Sequence, residues 1–88
     1  MRIVVNPGVR ENITVDGFLV LASPGAVQST YPPEAAAVWI SLRQAEGDIT
    51  VAAGILALDL GFDTSDVSFI VRKWVAGWKN AGLVTDGA

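Results

Sequence analysis

Nine carboxylates are the main candidates for acid–base chemistry in this chain, because its 88 residues include neither histidine nor cysteine. Glu11, Asp16, Glu34, Glu46, Asp48, Asp59, Asp63, Asp66 and Asp86 fall mostly where turns and helix ends are expected. There a carboxylate caps a helix or forms a turn. That placement gives each a structural role, and a catalytic pair with perturbed pKa values is the lesser reading. No acidic run has calcium-loop spacing, and no glycine string matches a phosphate-binding loop. The missing thiols and imidazoles remove disulfides, zinc-finger ligands and the usual proton shuttle near neutral pH. The expectation is a non-enzymatic protein that needs no cofactor and no metal.

The remaining functional signals concern binding. Arg72, Lys73 and Lys79 lie on the polar face of a long C-terminal helix. Such groups are usually only solvated, but Arg72 and Lys73 can also steer a partner carrying acidic residues. Phe69, between Ser68 and Ile70, sits at the margin of that helix's apolar stripe. It either widens the stripe or lines a groove beside a sheet. The short, polar stretch Val27-Gln28-Ser29-Thr30 reads as an edge strand with unpaired N–H and C=O groups. An extended peptide can join such an edge as a further strand.

The elements that position these residues are legible in turn. Val67, Ile70, Val71, Trp74, Val75 and Trp78 recur at helical spacing and predict a helix over roughly 66–81. Thr64 or Ser65 serves as its N-cap, and Gly82 followed by Leu83 marks its end. Upstream, a short strand over Arg2–Val5 ends at Asn6-Pro7-Gly8. Asn12–Val15 and Phe18–Ala22 flank Asp16-Gly17, which predicts a two-residue type I′ hairpin. Ala26–Tyr31 is the third, edge strand of that meander, with Val27, Ser29 and Tyr31 on one face. Pro32-Pro33 ends pairing and opens a helix to Ala45, with Ala35, Val38, Trp39 and Leu42 buried. A second helix spans about Val51–Leu60, capped by Thr50 or Asp48, with Val51, Ala52, Ile55, Leu56 and Leu58 as its apolar side. Gly54 inside it points to a close helix crossing, and Gly61-Phe62 ends it as Gly82-Leu83 ends the third. Thr85–Ala88 reads as a frayed tail. Strands followed by helices predict an α+β fold.

Composition sets the outer bounds. Eighty-eight residues predict a single domain over 1–88. The hydrophobic fraction of 51% and mean hydropathy of +0.45 supply a core and leave apolar surface to spare. The apolar runs are too short to cross a membrane, and the N-terminus lacks a signal-length hydrophobic stretch, so a cytoplasmic location is expected. A net charge of −3 and a pI near 4.5 disfavour nucleic acid as a partner.

Three short strands followed by three helices form a winged helix-turn-helix-like arrangement that resembles the PqqD-like family of leader-peptide recognition elements. The resemblance runs over about residues 12–84. It rests on Phe18-Leu19-Val20-Leu21 before a turn and a third strand, Glu34-Ala35-Ala36-Ala37-Val38-Trp39 in the first helix, Ile49-Thr50-Val51 opening the second, and Ala81-Gly82-Leu83-Val84 closing the third. It implies that the leader of a ribosomally made precursor peptide is captured as an added strand along Val27–Thr30. The groove would be shared with the first half of the third helix, around Asp66, Phe69, Ile70, Arg72 and Lys73. It also implies partnership with a separate maturation enzyme. Length and ending are most similar to the B1 proteins of lasso-peptide pathways, which partner a leader peptidase. A PqqD-type chaperone serving a radical enzyme is the alternative, and a winged-helix DNA-binding regulator is the lesser one. Where family members carry Leu followed by Asn or Asp, this chain has Tyr31-Pro32-Pro33, a departure at the end of the expected groove.

Overall fold

The computed structural model describes residues 2–25 and 27–87. The chain runs β1 (Ile3–Val5), β2 (Arg10–Ile13), β3 (Leu19–Ala22), β4 (Ser29–Tyr31), α1 (Pro33–Gln44), α2 (Ile49–Leu60), α3 (Thr64–Asn80) and β5 (Val84–Asp86). β2, β3 and β4 form an antiparallel sheet in that order. The α+β expectation, a three-stranded antiparallel meander followed by three helices, is met.

The hairpin differs from the two-residue turn expected at Asp16-Gly17. Gly17 donates its N–H to the Thr14 carbonyl at 2.9 Å, and Thr14 donates to Phe18 at 2.9 Å. Gly17 has φ +88°, whereas Asp16 does not have positive φ. Three residues therefore form the loop, with glycine alone left-handed in a bulge. A type I′ turn would need positive φ at both central positions. Thr14 then stitches the loop shut by accepting the Phe18 N–H on its hydroxyl at 3.0 Å.

The C-terminal residues do not fray. β5 pairs antiparallel with β1, placing Ile3 opposite Asp86 and Val5 opposite Val84. Ile3 and Val84 are buried, so the ribbon is held by its apolar face as well as its ladder. Lys79 at the end of α3 adds an ion pair to Asp86 at 2.6 Å. Ala88, at the end of the expected tail, lies outside the described residues, as does Ala26, the expected start of the third strand.

The core gathers Leu19 and Leu21 from the sheet, Val38, Trp39 and Leu42 from α1, Ile49 and Leu56 from α2, and Val67, Val71, Val75 and Trp78 from α3. Trp39 and Trp78 meet edge to face, 5.1 Å between centroids. α3 ends as its sequence predicts. Gly82, at φ +75°, donates to Lys79 at 3.1 Å, and the buried Leu83 donates to Trp78 at 2.9 Å. That is a full Schellman closure. Its start is different: Asp63 stands at the N-cap, with no side-chain capping bond, in place of Thr64 or Ser65.

α2 departs most from expectation. It begins at Ile49 because Asp48, not Thr50, is its cap, accepting the Val51 N–H at 3.0 Å. Its buried side is Ile49, Ala52, Ala53, Leu56 and Ala57, while Val51 and Leu58 face outward. A helix apolar all round gives no periodic signal for its buried face. Gly61 is left-handed and the Phe62 N–H reaches Ala57, but the Phe62 ring stays 63% exposed. Nor does Gly54 mark a crossing within the protein, since an added Cβ there would meet nothing within 4 Å.

Candidate functional site

Among the described residues β4 pairs only with β3, which leaves its other edge open. The register assigns its backbone groups. Because Thr14 and Phe18 are hydrogen-bonded across the hairpin, alternation turns the peptide groups of Val20 and Ala22 toward β2 and those of Leu19 and Leu21 toward β4. Leu19 opposes Tyr31 and Leu21 opposes Ser29, so these β4 residues spend their backbone bonds on β3. Thr30, opposite Val20, presents its N–H and C=O outward.

The core-facing side of this edge is closed by aromatics. Tyr31 shares a face with the buried Leu19 and packs edge-on against both Trp74 and Trp78 of α3, each at 6.0 Å. Glu34 in the first turn of α1 accepts the Trp74 indole N–H at 2.8 Å. The Lys73 ammonium lies 5.4 Å from the Trp74 ring centroid, a cation–π contact on the solvent side. Three elements therefore fix the half-buried Trp74 beside β4. Sequence periodicity had assigned Trp74 only to the core stripe, and it gave Tyr31 and Glu34 no site role. Their contacts join positions 31, 34 and 74, which share no local spacing.

The expected site residues fall into groups. Ser29 and Thr30 lie in the strand and are exposed, whereas Val27 and Gln28 are exposed but precede it. On α3, Ile70 is half-buried one turn before Trp74, on the flank that meets Tyr31. Asp66 and Lys73 border that flank, both exposed. Phe69 is 72% exposed beyond Lys73, at the outer margin. Helix geometry puts Arg72 roughly 160° round the axis from Trp74, on the side away from β4.

The site offers a backbone ladder, an aromatic wall, and one cation and one carboxylate from α3. It is an open edge rather than an enclosed cavity. A hollow of about 560 Å³ lies elsewhere, between β1 and α1, lined by Val5, Trp39, Leu42 and Arg43 among others. Trp39 and Arg43 both bond to Glu11 there, so this region ties β2 to α1. Among the described residues no group of three His, Cys, Asp or Glu side chains could hold a metal ion, and no helix is long and apolar enough to cross a membrane.

No protein-family model matches the sequence, and no curated protein matches it either. The fold matches a solved structure, TbiB1 in complex with the TbiA(beta) leader peptide, with a TM-score of 0.80 at 15% identity. The match covers 100% of this chain and 99% of that one. From end to end, this chain has the fold of a protein solved with a leader peptide bound.

Proposed function

We propose that this protein is a non-enzymatic scaffold that captures the leader of a ribosomally made precursor peptide and presents it to a separate processing enzyme. The leader adds to β4 as an antiparallel or parallel strand, its backbone bonding to Thr30 and to the chain just before it. Tyr31, Trp74 and Ile70 receive its apolar side chains, while Asp66, Phe69 and Lys73 border the groove. A leader peptidase of the lasso-peptide type is the proposed recipient. The observation that carries this reading is the open β4 edge beside the aromatic flank of α3. It is supported by the fold shared with a leader-bound protein.

The test is an NMR titration of the protein with leader peptides encoded beside its gene, with duplex DNA as control. Amide shifts concentrated at 27–31 and along 66–74 are expected. Thr30→Pro removes the outward N–H without touching a bond to β3, and should abolish binding while helical circular dichroism is kept. Unchanged affinity in folded Thr30→Pro protein would eliminate strand addition. DNA binding that weakens steeply with salt, with no peptide response, would favour the regulator.

A further inference from the structure

We propose that Glu34 is a positioning residue for leader binding. It touches no leader atom; it holds Trp74 in the one pose that walls the β4 edge. The inference rests on the leader-binding reading above. Glu34 lies in the first turn of α1, where a carboxylate already suits the helix dipole. That role asks nothing of α3. Yet the Glu34 carboxylate accepts the Trp74 indole N–H at 2.8 Å, from a residue 40 positions away.

Packing alone leaves the pose of this ring open. An indole has two broad orientations about its Cβ–Cγ bond. Trp74 is half-buried, with Trp78 stacked on it at 6.1 Å and Tyr31 edge-on at 6.0 Å. Both contacts depend on the plane of the ring, which a flip preserves. A flip does move the indole N–H to the other side, away from Glu34. The acceptor therefore selects one orientation, and a charged acceptor does so more firmly than a neutral one.

The acceptor is itself held. Tyr31 ends β4, and Pro32 and Pro33 follow at once. Pro32 has φ −67° and ψ 167°, its carbonyl accepts the Ala36 N–H at 3.1 Å, and Pro33 opens α1. Two locked φ angles thus join the end of the strand to Glu34. Tyr31 and Glu34 both contact Trp74, so strand end, proline corner and indole close a short ring with little freedom. The aromatic wall is set before a leader arrives. Ordering a large side chain then falls outside the binding step, which raises affinity without a new contact.

Isothermal titration of the intact protein with the leader peptide encoded beside its gene tests this. Glu34→Ala should weaken binding about fivefold, with helical circular dichroism kept. Glu34→Gln retains an acceptor oxygen and should stay within about twofold of wild type. Trp74→Phe keeps an apolar ring without the N–H, so adding Glu34→Ala to it should cost nothing further. In the leader-free protein, the Trp74 indole N–H should exchange with solvent faster in Glu34→Ala than in wild type. A direct contact between Glu34 and the leader would not move that signal. Equal leader affinity for wild type and Glu34→Ala, unchanged indole exchange, or a full further loss in the double variant would overturn the inference while leaving leader binding standing. A wild type that binds no leader would instead overturn the reading beneath it, and the inference with it.

Discussion

Trp78 is fully buried, touching Trp39, Tyr31 and Trp74, yet its indole nitrogen has no hydrogen-bond partner among the described residues. Two opposing terms follow from that one ring. Trp78→Ala empties the centre of the core and should cost about 3–5 kcal/mol, measured by chemical denaturation. Trp78→Phe keeps much of the ring volume and removes a buried, unpartnered donor worth about 1–3 kcal/mol. It should therefore cost far less than Trp78→Ala. Equal losses would show that a phenyl ring does not refill the space left by the indole. Trp74 is the contrasting case: being half-buried and bonded to an exposed carboxylate, it should lose less stability on replacement by alanine than Trp78 does. At Asp48, the bond from the Val51 N–H holds the carboxyl below its ordinary value, with the Thr50 N–H and Arg2 acting in the same direction against partial desolvation. A lowered native pKa means that stabilisation is complete above the ordinary aspartate value, about 3.9, and is lost as pH falls through the native one. Thermal melts should thus converge for wild type and Asp48→Ala at strongly acidic pH and separate above it.

At the scale of elements, legibility in the sequence tracked how local each cause was. α3 was readable because its stripe, its glycine stop and its leucine partner all lie within one segment. The β2–β3 hairpin was readable in place, but not in type. Only hydrogen bonding shows that Thr14, rather than Val15, closes the loop. α2's buried face was not readable, because apolar residues on every side leave periodicity nothing to resolve. The proposed groove joins local and distant parts. The edge strand and the first half of α3 could be named, but Tyr31, Glu34 and Trp74 meet only through packing. Pairing of β1 with β5 was hidden because strand pairing across the whole chain leaves no local mark. One link in that pairing is the turn between α1 and α2. Gly47 at φ +86° accepts the Ile3 N–H at 2.9 Å, and a Cβ there would collide with the Ile3 carbonyl. Gly47→Ala should push β1 away and destabilise by more than about 1 kcal/mol, the usual scale for a strained left-handed alanine. Solvent exchange at the amides of 3–5 and 84–86 should rise more than elsewhere.

For the molecule as a whole, acidity and architecture point the same way. With a net charge of −3, one of its six cations over the Trp74 ring and two others ion-paired, little positive field is left to gather a polyanion. Peptide binding at an open strand edge should accordingly change little between low and moderate salt, which isothermal titration at two ionic strengths would check. The β1–β5 ribbon has a further consequence. Joining Ile3 to Asp86 closes a loop spanning nearly the entire chain, the costliest kind of contact for an unfolded polymer to make. The ribbon should therefore form late in folding, after the hairpin and helices have brought its ends near. A backbone-cyclised version, with a short linker bridging the two ends, would have that search done in advance. It should refold faster and melt higher with no new contact in the native state. The same adjacency makes the fold a ready insert: a larger protein could carry it in a single surface loop, entering on β1 and leaving on β5.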